Sequence, residues 1–505
     1  MDRRAFNRSM LGAGLAATFG TSGALAAAAE SLSKITGDLP AITRTGGETT
    51  LSRAAIKEFQ ASLRGPLILP DNAAYDKTRA VWNGMIDKHP ALIARCAGAA
   101  DVINAVQFAG SNDLLVAVRG GGHSISGKSV CEGGLMIDLS PMQWATVNPE
   151  LRRARIGAGT LLGELDHASQ QFGLATTTGT VSHTGAAGLT LGGGHGRLAR
   201  RFGLAADNVR SVDLVTASGE LVVASARENQ DLYWGVRGGG GNFGIVTSFE
   251  YDLHEVGPTV LNGLMMYQFS DAKDVLKFYA EFSQTAPREM TVDVIMLSPP
   301  GARSPILMLS FCHTGDFDEG QRLIDQFRAF RKPRVDQVSP KSYLEVQSSA
   351  DANTPAGVLY YNKSGLMGEL APEAVDEIVD RLSEAAGQAD PGVASNVIIQ
   401  HLGGAVGDVA PGDTAYPHRD ARHDFLILSG WKNPDFSEQN IKWLRDAYAT
   451  IDPYTIGFYS NHMVDSDQPK VRLAYRGNYD RMVQLKNKYD PQNRFRLNAN
   501  VQPTV

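Results

Sequence analysis

The stretch "LLVAVRGGGHSISGKSVCEGGLMIDLS", residues 114–140, decides how the first half of the chain folds. Within it, Gly122–Ser129 matches the phosphate-loop pattern G-x-x-x-x-G-K-[ST]. A phosphate loop must open a helix, because the free N–H groups of that helix face the phosphates. Here Gly133 and Gly134 follow closely, and a strand-like "LMIDL" comes next. The stretch therefore predicts strand, glycine loop and strand, and it argues against a nucleotide hydrolase.

A second glycine pattern is equally misleading. Gly239–Gly244 matches G-x-G-x-x-G but runs into the strand-like "IVTSFEYDL", so a Rossmann dinucleotide site is not predicted. Three glycine-dense loops, Gly120–Gly122, Gly192–Gly196 and Gly238–Gly244, thus lie between strands of one predicted domain. Bare backbone N–H groups in such loops can bind an anion. Tight turns and bulges are the structural alternative, and the clustering favours the anion.

Length, composition and charge set the protein class. A chain of 505 residues is long enough for two or three domains, and 43% hydrophobic with 20% charged residues is typical of a soluble globular protein. The net charge of −6, without a long basic run, gives no support to nucleic-acid binding. Three cysteines, Cys96, Cys131 and Cys312, provide neither a disulfide framework nor metal-ligand spacing. No metal site is predicted.

The N-terminus has the layout of an export signal. Arg3 and Arg4 precede a weakly apolar run rich in Gly and Ala, which ends at the small-residue cleavage site Ala24-Leu25-Ala26. The arginine pair resembles a twin-arginine signal, whereas a frayed basic helix would not explain the Ala-x-Ala ending. The run is too short to span a membrane. Removing residues 1–26 takes away three arginines and one aspartate, so the net charge falls from −6 to −8.

Hydrophobic periodicity predicts an α+β fold. A helix is expected from Ser52 to Leu63, followed by a mixed region with hairpins that turn at Asn148-Pro149 and Ser218-Gly219. From about Val256 the glycine clusters thin out, and alternating strands mix with helical segments. That pattern predicts a second α+β domain with an antiparallel sheet.

Four motifs in order carry a family resemblance. "VRGGGHS", "TGTVSHTGAAGLTLGGGHG", "RGGGGNFGIVTSFEYDL" and "NKYDPQNRFRLNANVQP" together resemble the berberine-bridge-enzyme-like branch of the vanillyl-alcohol-oxidase flavoprotein superfamily. The resemblance runs from about residue 76 to 503 and is weakest in the middle. It implies a two-subdomain FAD-binding domain of the PCMH type, a substrate domain whose antiparallel sheet is covered by helices, and a C-terminal segment that returns to the FAD domain. The expected organisation is a signal peptide over 1–26, a linker and N-terminal helix over 27–75, the FAD-binding domain over 76–255, the substrate domain over 256–455 and the C-terminal segment over 456–505.

The resemblance implies FAD, bonded covalently to His123 through the 8α-methyl carbon of the flavin. A neutral imidazole is a good nucleophile, and that methyl carbon is electrophilic. Many family members add a second bond through a cysteine, but Val181 stands at that position and Cys131 lies in another loop. One histidyl bond without a cysteinyl bond is therefore expected. The other implied cofactor-binding residues are Arg119, Gly120, Gly121, Gly122, Ser124, Gly179, Thr180, Val181, Thr184, Gly185, Gly188, Gly192, Gly193, Gly194, Gly244, Ile245, Val246, Asn498 and Asn500.

The reaction implied is removal of a hydride and a proton from a small organic substrate: a sugar, an alcohol, an amine or a phenol. FAD takes the hydride, and a general base must reach the proton. The family places an active-site tyrosine or histidine in a Y-x-N-[YH] motif, which here is Tyr459-Ser460-Asn461-His462. His462 can act at neutral pH, whereas the pKa of Tyr459 would have to be lowered. The alternative is that both side chains only pack beside the flavin.

Further candidates come from the middle of the chain. Tyr361, Lys363 and Gln400 lie in segments where relatives line the substrate face. Some members carry a catalytic Glu or Gln on a strand that corresponds here to the apolar segment 425–428, so that acid is expected to be absent. Thr184 stands where relatives admit or block O₂, and the residue leaves open whether O₂ or another acceptor is used.

Three further functions stay open at this point. A flavin dehydrogenase or oxidative cyclase would pass its electrons to an acceptor other than O₂. A flavin-binding protein without turnover and the phosphate-loop hydrolase are weaker alternatives. The leading prediction is an exported FAD-linked oxidase that acts on a small molecule and neither binds nucleic acid nor spans a membrane.

Overall fold

The computed structural model describes residues 34–299, 304–388, 394–464 and 468–505. The expected signal peptide, residues 1–26, lies outside them. The strands are β1 (Leu39–Ile42), β2 (Glu48–Leu51), β3 (Leu67–Ile68), β4 (Leu92–Arg95), β5 (Val116–Arg119), β6 (Leu135–Asp138), β7 (Ala145–Asn148), β8 (Arg153–Gly157), β9 (Leu174–Ala175), β10 (Val209–Val215), β11 (Leu221–Ser225), β12 (Ile245–Asp252), β13 (His254–Glu255), β14 (Thr259–Tyr267), β15 (Met290–Ser298), β16 (Ile306–His313), β17 (Val335–Asp336), β18 (Ser339–Ser342), β19 (Leu359–Met367), β20 (Ala394–His401) and β21 (His423–Trp431). The α-helices are α1 (Arg53–Ser62), α2 (Tyr75–Arg79), α3 (Ala99–Ser111), α4 (Leu162–Gln170), α5 (Ala186–Leu191), α6 (Ala199–Phe202), α7 (Gln230–Val236), α8 (Ala272–Thr285), α9 (Phe317–Phe330), α10 (Tyr343–Ser348), α11 (Pro372–Gln388), α12 (Ser437–Ile451), α13 (Gln468–Tyr475) and α14 (Tyr479–Tyr489).

The first domain is built around two small sheets. One has the order β3-β4-β6-β5, with β4 and β5 parallel to β6, and the other is antiparallel with the order β11-β10-β12-β8-β7. The glycine loop after β5 leads directly into β6, and the loop Gly239–Gly244 leads into β12. Neither loop opens a helix. The exclusion of the phosphate loop and of the Rossmann site is therefore correct.

The region before residue 76 is more than a linker with one helix. α1 forms as expected, with the Ser52 hydroxyl accepting from the N–H of Ala55 at its start. However, β1 and β2 form a hairpin, β3 pairs with β4, and Ala41 and Leu51 are buried in the core of the first domain. These strands were not predicted, because segments of two to four residues carry too little periodicity to be recognised.

The second domain is built on an antiparallel sheet with the order β17-β14-β16-β15-β20-β21-β19, to which β18 adds at β14. Helices α8, α11 and α12 pack on one face and form the second core with residues such as Phe425 and Ile427. Side chains alternate along a strand, so the neighbours of these residues point to the opposite face. That opposite face is turned toward the first domain.

The C-terminal segment returns to the first domain, as predicted. The Lys486 ammonium, in α14, is fully buried and donates to the carbonyls of Asn242 and Phe495 and to the carboxylate of Asp490, 2.7 Å away. Burial lowers the pKa of Lys486, and Asp490 opposes that shift. The pair thus fastens the C-terminal turn to the glycine loop before β12.

Replacing Lys486 with methionine is expected to cost about 3–5 kcal/mol of stability, because the buried Asp490 carboxylate would lose its counter-ion. The matched control is Lys488→Met, two residues away, whose ion pair with Asp231 (2.7 Å) is exposed. That control should cost no more than about 1 kcal/mol. The urea midpoints of the FAD-loaded variants measure both effects. Equal midpoints would show that the buried pair contributes no more than the surface pair.

Candidate active site

One cavity of about 460 Å³ lies between the glycine loops of the first domain, the open face of the second-domain sheet and the C-terminal segment. The loop after β5 and the loop before α5 meet at its wall. A Cβ atom on Gly121 would lie 2.5 Å from the backbone of Gly185, and Gly122 has a φ of +69°. Only glycines allow this close approach and this backbone conformation. The cavity wall is therefore partly bare backbone.

His123 lies on this wall with two aromatic rings near its own. The indole of Trp82 stacks on the imidazole at a centroid distance of 4.5 Å, and the ring of His183 lies 5.1 Å away. Trp82 is itself fixed, since its indole N–H donates to the carbonyl of Thr354 (2.9 Å). Burial lowers the pKa of His123 to about 4, so the imidazole is neutral at physiological pH. Its Nε2 is buried without a hydrogen-bond partner among the described residues.

Most of the residues predicted to hold the cofactor lie on the cavity wall. Besides His123, they are Gly120, Gly121, Gly122, Ser124, Gly179, Thr180, Val181, Thr184, Gly185, Gly188, Gly244, Ile245, Val246 and Asn498. The wall has an aliphatic side chain at Val181. Cys131 lies outside the wall and is buried, and burial raises the pKa of its thiol to about 12.

The Gly192–Gly194 turn was predicted to line the cavity and does not. A Cβ on Gly192 would strike the Asn461 amide, and one on Gly193 would strike the ring of Tyr416. The turn is glycine-rich because protein packs closely around it. The backbone of this turn binds a side chain of the protein itself: the N–H of Gly194 donates to the hydroxyl of Tyr459 (3.1 Å).

Two further predicted residues also lie outside the wall. The Arg119 guanidinium turns back to donate to the carbonyl of Thr78 and lies 4.0 Å from Asp138. The carbonyl of Asn500 accepts from the Gln468 amide instead of facing the cavity. Both residues are next to a wall residue in the sequence. A sequence motif shows this proximity but does not show which way a side chain points.

A buried carboxylate joins two histidines at the cavity. Oδ2 of Asp424 lies 3.1 Å from Nε2 of His195 and 3.0 Å from Nδ1 of His462. The side chains of Asp424 and His195 are 0% and 2% exposed, and that of His462 is 24% exposed; both imidazoles line the cavity. Burial raises the pKa of Asp424, but the two imidazoles outweigh it and hold the pKa well below its usual range. The carboxylate is therefore ionised.

Asp424 corrects the expectation that this strand lacks an acid. The apolar segment 425–428 begins one residue too late to show it. Asp424 lies near the start of β21 on the same face of the strand as Leu426 and Leu428, which line the cavity. The sequence feature that could have indicated this acid is the charged Asp424 directly before the apolar segment 425–428.

Tyr459 does not have the properties of a base. It is buried, and its hydroxyl accepts from the N–H of Gly194 and from the Asn461 amide (2.8 Å). Burial raises the pKa of Tyr459 well above its usual range. The phenol thus stays protonated and packs against His195, with ring centroids 4.7 Å apart.

The second-domain sheet contributes an aliphatic wall. Gln400, as predicted, lies on the cavity side of β20, next to Ile398; across the strand pair, Gln400 is opposite Asp424 and Ile398 is opposite Leu426. Tyr361 was also predicted to line the cavity, and that position is wrong. Its ring is buried in the second core, and its hydroxyl accepts from Arg445 (2.9 Å).

Alternation also explains the other side chains of β19. Asn362 lines the cavity in place of Tyr361, and its amide donates to the carbonyl of His462 (3.0 Å). Lys363 lies with its ammonium 5.9 Å from the Tyr361 ring centre, on the side away from the cavity. A shift of one residue exchanges the two faces of a strand.

The features of the cavity fit a flavin dinucleotide. Backbone N–H groups at glycine loops suit an anionic pyrophosphate, and the neutral, unpartnered His123 imidazole suits attachment to an electrophilic carbon. Within the described ranges, no cluster of His, Cys, Asp and Glu side chains could hold a metal ion. No helix of those ranges is long and apolar enough to cross a bilayer.

Comparison with known proteins identifies the class. Residues 90–225 match the model of the FAD binding domain, and residues 459–502 match that of berberine and berberine-like proteins. (R)-6-hydroxynicotine oxidase of Paenarthrobacter nicotinovorans is 32% identical over 88% of this chain and 97% of its own length. The chain belongs to the berberine-bridge-enzyme-like family of FAD-linked oxidoreductases, and it is an enzyme of that class.

Solved structures agree with this assignment. 6-Hydroxy-D-nicotine oxidase from Arthrobacter nicotinovorans superimposes with a TM-score of 0.80 at 30% identity, covering 87% of this chain and 98% of that protein. Xylooligosaccharide oxidase from Myceliophthora thermophila, in complex with xylobiose, gives 0.79 at 25% identity, with 89% and 100% covered. The predicted α+β architecture, with an FAD domain and a substrate domain, is confirmed.

Proposed function

We propose that this protein is an exported FAD-dependent oxidase that carries its flavin on one histidine, His123, and removes a hydride and a proton from a small organic substrate. The observation that carries the proposal is the shared cavity. One wall holds a neutral, unpartnered imidazole, and another holds His462 against the ionised Asp424. Sugars, alcohols, amines and phenols are the substrate classes of the proposal, and O₂ is the proposed acceptor.

His123 would attach the flavin, and the glycine loops would hold the pyrophosphate. Bound FAD would supply the hydride acceptor and pass its electrons to O₂. Val181 offers no nucleophile for a second bond, which supports single attachment. Trp82 supports the same role, because its indole stacks on the His123 ring.

His462 is the proposed general base. A carboxylate can only accept, so the Nδ1 of His462 that faces Asp424 must carry the proton. Its Nε2 is then the free acceptor, and it can take the substrate proton while Asp424 stabilises the imidazolium that forms. Tyr459 shapes this wall without exchanging a proton, because its hydroxyl is held by Gly194 and Asn461.

The aliphatic wall narrows the proposed substrate. Ile398, Leu426 and Leu428 offer no partner to a polyol, and Gln400 is the amide among them. Burying hydroxyl groups against aliphatic side chains costs about 1–3 kcal/mol for each lost hydrogen bond. The wall therefore favours an alcohol, amine or phenol with an apolar body over an oligosaccharide.

Anaerobic stopped-flow absorbance tests the reaction with two probes, (R)-6-hydroxynicotine and xylobiose. We expect the nicotine derivative to bleach the bound flavin faster than the sugar. Faster bleaching by xylobiose would contradict the substrate preference.

The acceptor is tested by mixing the reduced enzyme with air-saturated buffer. Rapid return of the flavin absorbance is expected of an oxidase. Thr184 at the cavity wall is compatible with O₂ as acceptor, but it is polar where many oxidases have valine. Slow reoxidation would favour the alternative, a dehydrogenase or oxidative cyclase with a different acceptor.

Export rests on the sequence of residues 1–26. Fractionation of cells that express the full chain is expected to place the protein outside the cytoplasm, with its N-terminus cut after Ala26. An Arg3→Lys, Arg4→Lys double variant should keep it inside. Unchanged export of that variant would rule out the twin-arginine route.

A further inference from the structure

Two imidazoles contact the Asp424 carboxylate, and the proposed role of His462 as the base explains only one of these two contacts. His195 follows the Gly192–Gly194 turn of the first domain, Asp424 begins β21 of the second, and His462 belongs to the C-terminal segment. The same oxygen, Oδ2, faces Nε2 of His195 and Nδ1 of His462. Three separate parts of the fold thus meet at one atom.

We propose that His195 is a positioning residue of the reaction: it fixes the Asp424 carboxylate, and through it the tautomer and orientation of His462. This inference rests on the proposed role of His462 as the base. His195 lines the cavity as well, and we assign it a positioning role because its polar contact is with Asp424.

Burial explains why a second donor is needed. A carboxylate that is 0% exposed has lost its water, and an ionised group in such a place must be hydrogen-bonded to remain charged. His462 is partly exposed, so it alone would hold one side of the carboxylate loosely. The ring of His195 is packed against Tyr459, which in turn is anchored to Gly194. The carboxylate is therefore held from the rigid side by His195.

The other titratable groups around Asp424 are neutral, so the two imidazoles are left to stabilise the charge of the carboxylate. Tyr416, Tyr448, Tyr459 and His418 also interact electrostatically with Asp424. Burial raises the pKa of each of these tyrosines far above its usual range and lowers the pKa of His418 to about 4, so all four are neutral at physiological pH.

Asp293 on β15 is a further titratable group that acts on His195. The imidazole and this carboxyl group interact electrostatically, and the N–H of His401 donates to Asp293 (2.9 Å). Burial raises the pKa of Asp293.

The consequence concerns which nitrogen of His462 accepts the substrate proton. While Asp424 is held, Nδ1 of His462 carries hydrogen and Nε2 is free. If His195 no longer donates, the carboxylate can rotate about its Cβ–Cγ bond, and His462 can populate the other tautomer. A base with its proton on the wrong nitrogen cannot take a second one from the substrate.

The test is long-range ¹H–¹⁵N correlation spectroscopy of FAD-loaded protein labelled with [¹⁵N]histidine, which reads the tautomer of each imidazole without any substrate. The signals of His462 are assigned from a His462→Gln sample. Three variants are compared: His195→Leu, which removes the donor at similar volume, His195→Gln, whose amide can donate from a position close to Nε2, and Asp424→Asn.

We expect His462 to have hydrogen on Nδ1 in the wild type, to show mixed tautomers in His195→Leu, and to regain the wild-type tautomer in His195→Gln. The matched control is His418→Gln, a buried histidine whose ring bonds to the carbonyl of Ala474 instead. It should leave the His462 signals unchanged. With a substrate that bleaches the flavin, His195→Leu should also reduce it about tenfold more slowly, with recovery in His195→Gln.

An unaltered His462 tautomer in a folded His195→Leu protein would overturn the inference, as would equal effects of Leu and Gln. Both results are separate from the proposed function. That function fails if the wild-type flavin is not bleached by any alcohol, amine, phenol or sugar, and the spectra of His462 do not depend on such a substrate.

Discussion

His123→Ala protein is expected to yield a dark band on an acid-washed denaturing gel, whereas the wild-type band fluoresces. His123 is the neutral, unpartnered imidazole on the cavity wall, and alanine offers no nucleophile in its place. The intact mass of the wild-type chain should exceed that of the variant by one FAD, beyond the change of side chain. A mass increase of one FAD also reports that no second molecule is attached.

The control for this experiment is His183→Gln. His183 lies beside His123 but is absent from the cavity wall, so its band should still fluoresce. A fluorescent His123→Ala band would move the attachment point to another residue. A dark wild-type band would leave FAD bound without a covalent bond and would contradict the role assigned to His123.

Asp424→Asn should slow flavin reduction by about 10²–10⁴-fold, the usual contribution of a general base. The side chains have the same shape, but the amide can turn its NH₂ group toward His462. Nδ1 would then accept, Nε2 would carry the proton, and the base could not act. Anaerobic stopped-flow reduction, measured with the faster of the two probes, gives the rate, and the flavin absorbance reports whether the cofactor is still bound.

A buried aspartate away from the base provides the matched control. Asp166 is 1% exposed, and burial raises its pKa to about 7, so asparagine resembles its protonated form. Asp166→Asn should therefore reduce the flavin at the wild-type rate. If Asp424→Asn also kept that rate, the Asp424–His462 pair would not be the base.

Much of this protein follows from its sequence by itself. Each glycine loop and the elements that flank it are contiguous, so "VRGGGHS" with the strands around it identified the first domain and the loop that carries His123. The same local reasoning excluded a phosphate loop, since a lysine followed by two glycines and a strand cannot open a helix. The return of the C-terminal segment also followed from its motif, because that motif belongs with the others in one family.

Tertiary structure alone decided the chemistry of the second wall. Along β19, Tyr361 and Asn362 are neighbours in sequence, but a strand sends one to the core and the other to the cavity, and the motif does not say which. The glycines of Gly192–Gly194 looked like ligand contacts and instead make room for Asn461 and Tyr416. His195, Asp424 and His462 lie in three distant segments, and only the packing of two domains and the C-terminal segment brings the two imidazole nitrogens within 3.1 Å of the Asp424 carboxylate.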